Sequence, residues 1–264
     1  MYQDELQLAR SLAVQAGSIL TRYFGTRLIV ESKGWADPVT AADKESEAFI
    51  RSGILSRYPT DGIDGEEEGR RPGSSGRMWL IDPLDGTANF AGGFPLFAVC
   101  ITLIDESDPD NALLNVTYDP IRQEMFHAIK GEGAFLDGGA LHVSALADLS
   151  SALVHISFSN QRLIWPTTID LVRRLTEFAP HARDIGSSAL GQAYVAAGRL
   201  DAHMKVTSGM YDVVGGNLLI VEAGGVVSNL DGEAWGERGS LCSATPGLPP
   251  LLIGLTQGMP RPVR

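Results

Sequence analysis

The chain has 264 residues, 44% of them hydrophobic, which is enough core for one large domain or two tightly joined halves. A formal net charge of −11 argues against a nucleic-acid backbone or an anionic membrane as the main partner, but not against a small anion at a site neutralised by cations. No apolar run approaches the ~20 residues of a membrane helix, and Met1 to Arg10 lack a signal-peptide core. Cys100 and Cys242 form no CxxC pair, so the expectation is a cytoplasmic protein with buried free thiols.

In chain order, Leu8, Leu12, Ala16, Ile19, Leu20 and Tyr23 recur at helical spacing between Asp4 and Phe24, with Gly25 as the stop. Arg27 to Glu31 looks like a strand, and Lys33 to Pro38 like a loop carrying Trp35. Thr40 and Asp43 form a capping-box variant that opens a helix to about Arg57. Gly62 to Gly65 then leads into Glu66-Glu67-Glu68, a run that could equally be a solvated acidic face.

Met78 to Ile81 reads as a short buried strand that stops at Asp82, where Pro83 removes a donor and Gly86 permits a tight turn. Two carboxylates three residues apart, Asp82 and Asp85, meet there with the Thr87 hydroxyl and free turn amides. Hard oxygen ligands at a strand end suit Mg2+, although Asp-x-x-Asp-Gly-Thr is also ordinary turn chemistry.

Phe97–Ile104 and Ala112–Tyr118 flank a turn and predict a hairpin, followed by strands over Glu124–Ile129, Leu141–Val143 and Ala152–Phe158. Gly131-Glu-Gly133 begins a GxGxxG, but Leu136 replaces the last glycine and a dinucleotide site is rejected. Asp170–Phe178 reads as a helix and His181–Ile185 as a strand, and Gly186-Ser187-Ser188 opens a helix through Ala197. Asp201 to Val206 alternates, with Asp201, His203 and Lys205 on one face. Ser208 is placed to cap a helix from Gly209 to Ala223 that carries Asp212, and Val226–Ser228 is a strand. A last short apolar segment follows Gly247. The five histidines show no HxH or HExxH spacing and read as structural. With no linker or repeat, the reading is one domain over 1–264, with sub-halves near 1–150 and 151–264.

Gly65-Glu66-Glu67, Ile81-Asp82-Pro83-Leu84-Asp85-Gly86-Thr87-Ala88-Asn89-Phe90 and Tyr211-Asp212 before Glu222-Ala-Gly-Gly225 together resemble the inositol monophosphatase family. The resemblance runs from about Asp37 to Gly225. It implies an α/β chain in a layered αβαβα sandwich, a homodimer, lithium sensitivity and two or three Mg2+ per site. It also implies that Glu66, Asp82 and the Leu84 carbonyl hold a first ion, and that Asp82, Asp85 and Asp212 hold a second. Glu67 would support a third, water-coordinated ion, while Thr87, bonded to Asp43, orients the attacking water. The amides at Gly86 and Thr87 would take phosphate oxygens. Gly186, Ser187 and Ser188 resemble the inositol and sugar phosphate branch.

The implied reaction is hydrolysis of a small phosphate monoester, inositol 1-phosphate or a related sugar phosphate, without a covalent intermediate. Fructose 1,6-bisphosphate, histidinol phosphate and 3′-phosphoadenosine 5′-phosphate stay open as substrates. A DxDGT aspartyl nucleophile fits poorly, since two residues separate the aspartates here. A non-catalytic phosphate-binding regulator is the alternative of another class. Two departures concern the substrate: Tyr211 stands where the family has Trp, and Lys205 where inositol phosphatases carry a hydroxyl-gripping glutamate. Lys205 is then either a pocket cation or a solvated strand residue.

Overall fold

The computed structural model describes residues 1–26, 29–34, 37–236 and 239–259, with the side chains of Lys33, Asp37 and Asp212 outside that description. Helix α1 (Gln3–Tyr23) buries Leu6, Ala9, Leu12, Ala13, Ala16 and Leu20 along one stripe, as its periodicity requires. Helix α2 (Ala41–Arg57) starts at a true capping box, with Thr40 accepting from the Ala42 amide and Asp43 accepting from the Thr40 amide at 2.8 Å. Between them Glu31–Gly34 (β1) and Asp37–Val39 (β2) pair antiparallel.

The first large sheet has eight strands: Gly62–Gly65 (β3), Gly69–Arg71 (β4), Arg77–Asp85 (β5), Ala98–Asp105 (β6), Asp108–Asp119 (β7), Glu124–Ile129 (β8), Gly133–Leu136 (β9) and Gly139–Ala140 (β10), in the order β10-β9-β8-β7-β6-β5-β3-β4. The short helix α3 (Thr87–Ala91) follows β5, and α4 (Trp165–Thr176), α5 (Ser188–Ala196), α6 (Met210–Glu222) and α7 (Pro249–Thr256) complete the helices. The second sheet has five strands, Leu153–Ser157 (β11), His181–Arg183 (β12), Ala202–Lys205 (β13), Val226–Ser228 (β14) and Leu241–Ala244 (β15), in the order β12-β11-β13-β15-β14.

Helices α1 and α2 cover one face of the eight-stranded sheet, α5 and α6 lie between the sheets, and α4 and α7 cover the outer face of the second. This is the expected αβαβα sandwich. The middle layer explains why α5 and α6 are apolar nearly all round, since both faces are buried. It also explains Gly215, because a Cβ there would stand 2.0 Å from Asn115 Oδ1 of β7 and 2.3 Å from Thr102 of β6. One core cluster joins β5 (Leu80), β8 (Phe126), α6 (Leu219) and β15 (Leu241), tying the two sheets through that layer.

Several expectations need correcting. The strand at Arg27 falls partly outside the described residues, and the loop at 33–38 contributes its ends to the β1–β2 pair instead. Leu141–Val143 forms no strand; β9 and β10 take that edge position. The helix read from Asp170 starts at Trp165, with Pro166 in its first turn, where its missing N–H costs nothing. β15 went unread, because Leu241-Cys242-Ser243-Ala244 is too short and buried on both faces to show a period. Ser208 does not cap α6; its hydroxyl donates to Gly239 O and Gly209 occupies the cap position. Cys100 and Cys242 are buried free thiols, as expected, and burial pushes Cys242 up to about 12. Among the described residues no helix is long and apolar enough to cross a membrane.

Candidate active site

β5 does not stop at Asp82. It runs on to Asp85 through a bulge, with Asp82 opposite Cys100 and Asp85 opposite Ala98 on β6. One extra residue on β5 bends the strand and turns both aspartates to the same end of the sheet. Asp82 Oδ1 accepts from the Leu84 amide at 3.0 Å, which sets the turn and leaves the Leu84 carbonyl facing Thr87. Gly86 then adopts φ 98°, and a Cβ there would meet Leu96 O at 3.0 Å and Gly186 O at 3.2 Å, so only glycine fits where the two halves touch. Thr87 Oγ1 lies 3.2 Å from Asp43 Oδ1 and 3.0 Å from Leu84 O, sharing one proton between two acceptors. Burial raises the Asp43 carboxyl above its ordinary value, opposed by hydrogen bonds from Thr40 and Thr87.

Glu66 reaches the same place from β3. β3 and β5 run parallel with Gly65 opposite Ile81, and the Glu66 amide adds a bond to Ile81 O at 3.1 Å, which brings Glu66 alongside Asp82. The turn that carries it is clamped by Glu47 of α2, fully buried. Its Oε2 accepts the Glu67 amide at 2.8 Å and its Oε1 the Glu68 amide at 2.9 Å, while Arg51 pairs with it at 3.1 Å. A Cβ on Gly65 would lie 2.1 Å from Glu47 Oε1, so this clamp requires glycine there. The sequence reading missed Glu47. Its only signal was a charged residue on the buried stripe of an amphipathic helix, three residues before Ile50.

The opposite wall comes from the second sheet. Asp85 accepts from the Ser187 hydroxyl, from the Ser188 amide at 3.2 Å and from the Ala189 amide at 3.0 Å, so its carboxylate sits on the first turn of α5. Asn89 donates to Leu96 O at 2.7 Å and to Ile185 O at 2.8 Å, a second stitch between the halves. Lys205 is buried in the pocket wall, not solvated, and donates to Ser188 Oγ at 3.0 Å. Tyr211 donates to Asp64 at 2.7 Å, and burial together with that carboxylate raises its phenol.

These walls enclose a pocket of about 620 Å³. Glu66, Asp85, Gly86, Thr87, Gly186, Ser187, Ser188 and Lys205 line it, and Asp43, Asp82 and Leu84 join it by the bonds above. Glu67 does not line it; the structure shows its amide on Glu47. Asp212 is the third residue of α6, next to the lining residue Tyr211, and its side chain lies outside the described atoms. Among the described residues no three acidic, His or Cys side chains stand close enough to close a metal cage. The donor set itself fits Mg2+: carboxylates from the β3 turn and the bulged end of β5, two of them nearly buried, beside a backbone carbonyl.

A family model described as the inositol monophosphatase family matches residues 1–260. Nus factor SuhB of Haemophilus influenzae is 36% identical over 244 residues, 90% of each chain. Among solved structures, extragenic suppressor protein suhB from Bartonella henselae superposes with a TM-score of 0.92 at 30% identity, covering 97% of this chain and all of that one. Inositol monophosphatase from Anabaena superposes with a TM-score of 0.87 at 31% identity, covering 98% and 97%.

Proposed function

This chain belongs to the inositol monophosphatase family, and from that we propose that it is a Mg2+-dependent phosphomonoesterase for a small phosphorylated alcohol, inositol 1-phosphate or a related sugar phosphate. The observation that carries the reading is the single pocket in which Glu66, Asp85 and Thr87 face Ser187 and Ser188. Glu66, Asp82, Asp85, Asp212 and the Leu84 carbonyl would hold the ions, with Glu67 supporting a third. Bound Mg2+ supplies charge neutralisation at the phosphate and acidifies water.

The chain's own groups do the rest. The amides of Gly86 and Thr87 receive phosphate oxygens and hold the ester in place. Thr87 Oγ1 accepts the hydrogen bond of the attacking water and so aims its oxygen at phosphorus, while Asp43 fixes the rotamer of Thr87. Water adds to phosphorus, the ester P–O bond breaks, and the alcohol leaves with a proton. No side chain is acylated or phosphorylated on the way. The working unit is the whole chain, 1–264, in a cytoplasmic homodimer; the core cluster joining both sheets supports its acting as one unit.

Phosphate release over a panel of monoesters, with Mg2+, with a chelator and with added Li+, tests this. Release that needs Mg2+ and falls with Li+ is expected. No release from any ester would favour the second reading, a non-catalytic regulator, which the Nus factor name of the relatives supports.

Thr87→Ala is expected to lower kcat by ~10²-fold with little change in KM, since it removes an orienting contact to the reacting water and leaves the phosphate amides in place. Steady-state kinetics check this, and an effect confined to KM would make Thr87 a substrate-binding group only.

A further inference from the structure

The loop between β12 and α5 is fixed on both sides of Asp184. Arg183 O lies 3.2 Å from His155 Nδ1, and the Ile185 amide lies 3.4 Å from the same nitrogen. That imidazole is held in turn by stacking on His203, with centroids 4.4 Å apart, and by its Nε2 on the Ser157 hydroxyl at 2.9 Å. From the other half, Asn89 donates to Ile185 O at 2.8 Å. Gly186 has φ 71°, and a Cβ there would stand 2.6 Å from Asn89 Oδ1, so the loop turns tightly against that half. Within this frame Asp184 Oδ1 accepts from the Gly186 amide at 2.7 Å. Its Oδ2 accepts no hydrogen bond from the described residues, and the side chain is 33% exposed. Burial holds His155 below its ordinary value against the pull of Asp184, whose Oδ1 stands 4.0 Å from Nδ1, so the imidazole is neutral and does not pair off the carboxylate.

Asp184 lines the pocket three residues before Ser187, whose hydroxyl meets Asp85. Among the described residues four charged side chains line it: Glu66 and Asp85 on the hydrolytic side, Asp184 and Lys205 on the wall from the second half. Lys205 is engaged within that wall, on the Ser188 hydroxyl at 3.0 Å. Asn160, Gln161 and Thr207 add uncharged amide and hydroxyl groups. Because the wall carries both signs, an alcohol part with a net charge of either sign would meet a like charge there. A hydroxyl meets neither objection, since it donates to a carboxylate and accepts from an ammonium or an amide. A carboxylate on a loop fixed at both ends is preorganised to accept such a bond, with little ordering left to do on binding.

We infer that Asp184 is a specificity-determining residue of this pocket: its carboxylate accepts hydrogen bonds from the hydroxyls of the alcohol part, so that the preferred ester is that of a neutral polyol. The inference rests on the phosphatase reading for the scissile phosphate. The contacts that fix Asp184, with Gly186, His155 and Asn89, are separate from the bonds that join Thr87 to Asp43 and Leu84.

The test uses the full chain with Mg2+ and three esters: inositol 1-phosphate, cyclohexyl phosphate, which has the same ring without hydroxyls, and phosphoethanolamine, whose alcohol part carries an ammonium. Wild type is expected to favour inositol 1-phosphate over both others by kcat/KM. Asp184→Asn keeps an oxygen for the Gly186 amide and puts an amide nitrogen where Oδ2 now stands. It should reduce the preference over cyclohexyl phosphate by about ten- to hundred-fold, the range for one hydrogen bond to a charged group. Turnover of cyclohexyl phosphate itself should stay near the wild-type value. An equal fall on both ring esters would mean that Asp184 only shapes the loop, and this, like a preference that is absent or unmoved, overturns the inference. A preference for phosphoethanolamine that Asp184→Asn removes would also overturn it, because the carboxylate would then grip a cation. If wild type hydrolyses none of the three, the phosphatase reading fails, and calorimetry decides the role of Asp184 alone. Inositol 1-phosphate binding to wild type more tightly than to Asp184→Asn supports it, and equal binding overturns it.

Discussion

Asp85→Asn is expected to abolish most Mg2+-dependent phosphate release, by ~10²-fold or more, an order set by the loss of one preorganised charge-stabilising group. The substitution nearly preserves volume, so the effect is electrostatic. Asparagine has no net charge for a cation, and its amide nitrogen must face at least one of the donors that now point at Asp85: the Ser187 hydroxyl and the Ser188 and Ala189 amides. A donor facing a donor at the buried start of α5 also costs ~1–3 kcal/mol of stability. Two measurements separate these effects. Phosphate release against Mg2+ concentration reads the loss of metal function, and a thermal melt reads the loosening of α5. Near-wild-type turnover in Asp85→Asn, or in chelator-treated protein, would sink the metal mechanism. Intact turnover with a lowered melting temperature would leave Asp85 as a helix-capping residue alone.

Asp85 also shows how far the chain could be read before its fold was known. The Asp82–Thr87 string is a local signal, since a proline, a glycine and two carboxylates within six positions already imply a turn with converging oxygens. The partners of Asp85 on α5 lie about a hundred residues downstream, and spacing along the chain says nothing about which helix start docks against which strand end. The strand was read as ending at Asp82 because Pro83 removes a ladder donor. The structure instead absorbs Pro83 in the bulge opposite β6, and this places Asp85 at the pocket.

Lys205 was open between a pocket and a solvated position, because alternation over Asp201–Val206 assigns faces but not which face meets water. With β11 and β15 on its two edges and a helical layer above and below, every residue of β13 is buried. The histidines were legible only as lacking metal spacing. Their stacking arises from the register of β11 against β13, a long-range pairing that no short window contains. The apolar stripes of α1 and α2, by contrast, were plain, because burial on one face only leaves a 3.6-residue period in the text.

Glu47→Ala is expected to destabilise the protein by ~1–3 kcal/mol, the range for leaving buried donors without their acceptor. The carboxylate is fully buried, and its loss takes the acceptor from the amides of Glu67 and Glu68 and one of its partners from Arg51, which keeps the Glu68 carboxylate and the Gly69 carbonyl. The second consequence is functional. Glu66 stands between Gly65, which packs on Glu47, and Glu67, whose amide Glu47 holds, so the carboxylate of α2 fixes the direction in which Glu66 enters the pocket. Outer-shell partners of metal ligands are worth about 10- to 100-fold in metal affinity. The gentler Glu47→Gln keeps the volume and one acceptor, stays folded, and should raise the Mg2+ concentration for half-maximal phosphate release by ~10-fold. Its KM for the ester at saturating Mg2+ should change little, because Glu47 touches no substrate. Gly65→Ala should act in the same direction, since its Cβ displaces the same carboxylate. Melting temperature and Mg2+ titration of Glu47→Gln decide the matter: a lowered melting temperature with an unmoved Mg2+ requirement would make the clamp structural only. A raised Mg2+ requirement in both Glu47→Gln and Gly65→Ala would identify the buried carboxylate of α2 as the group that positions Glu66.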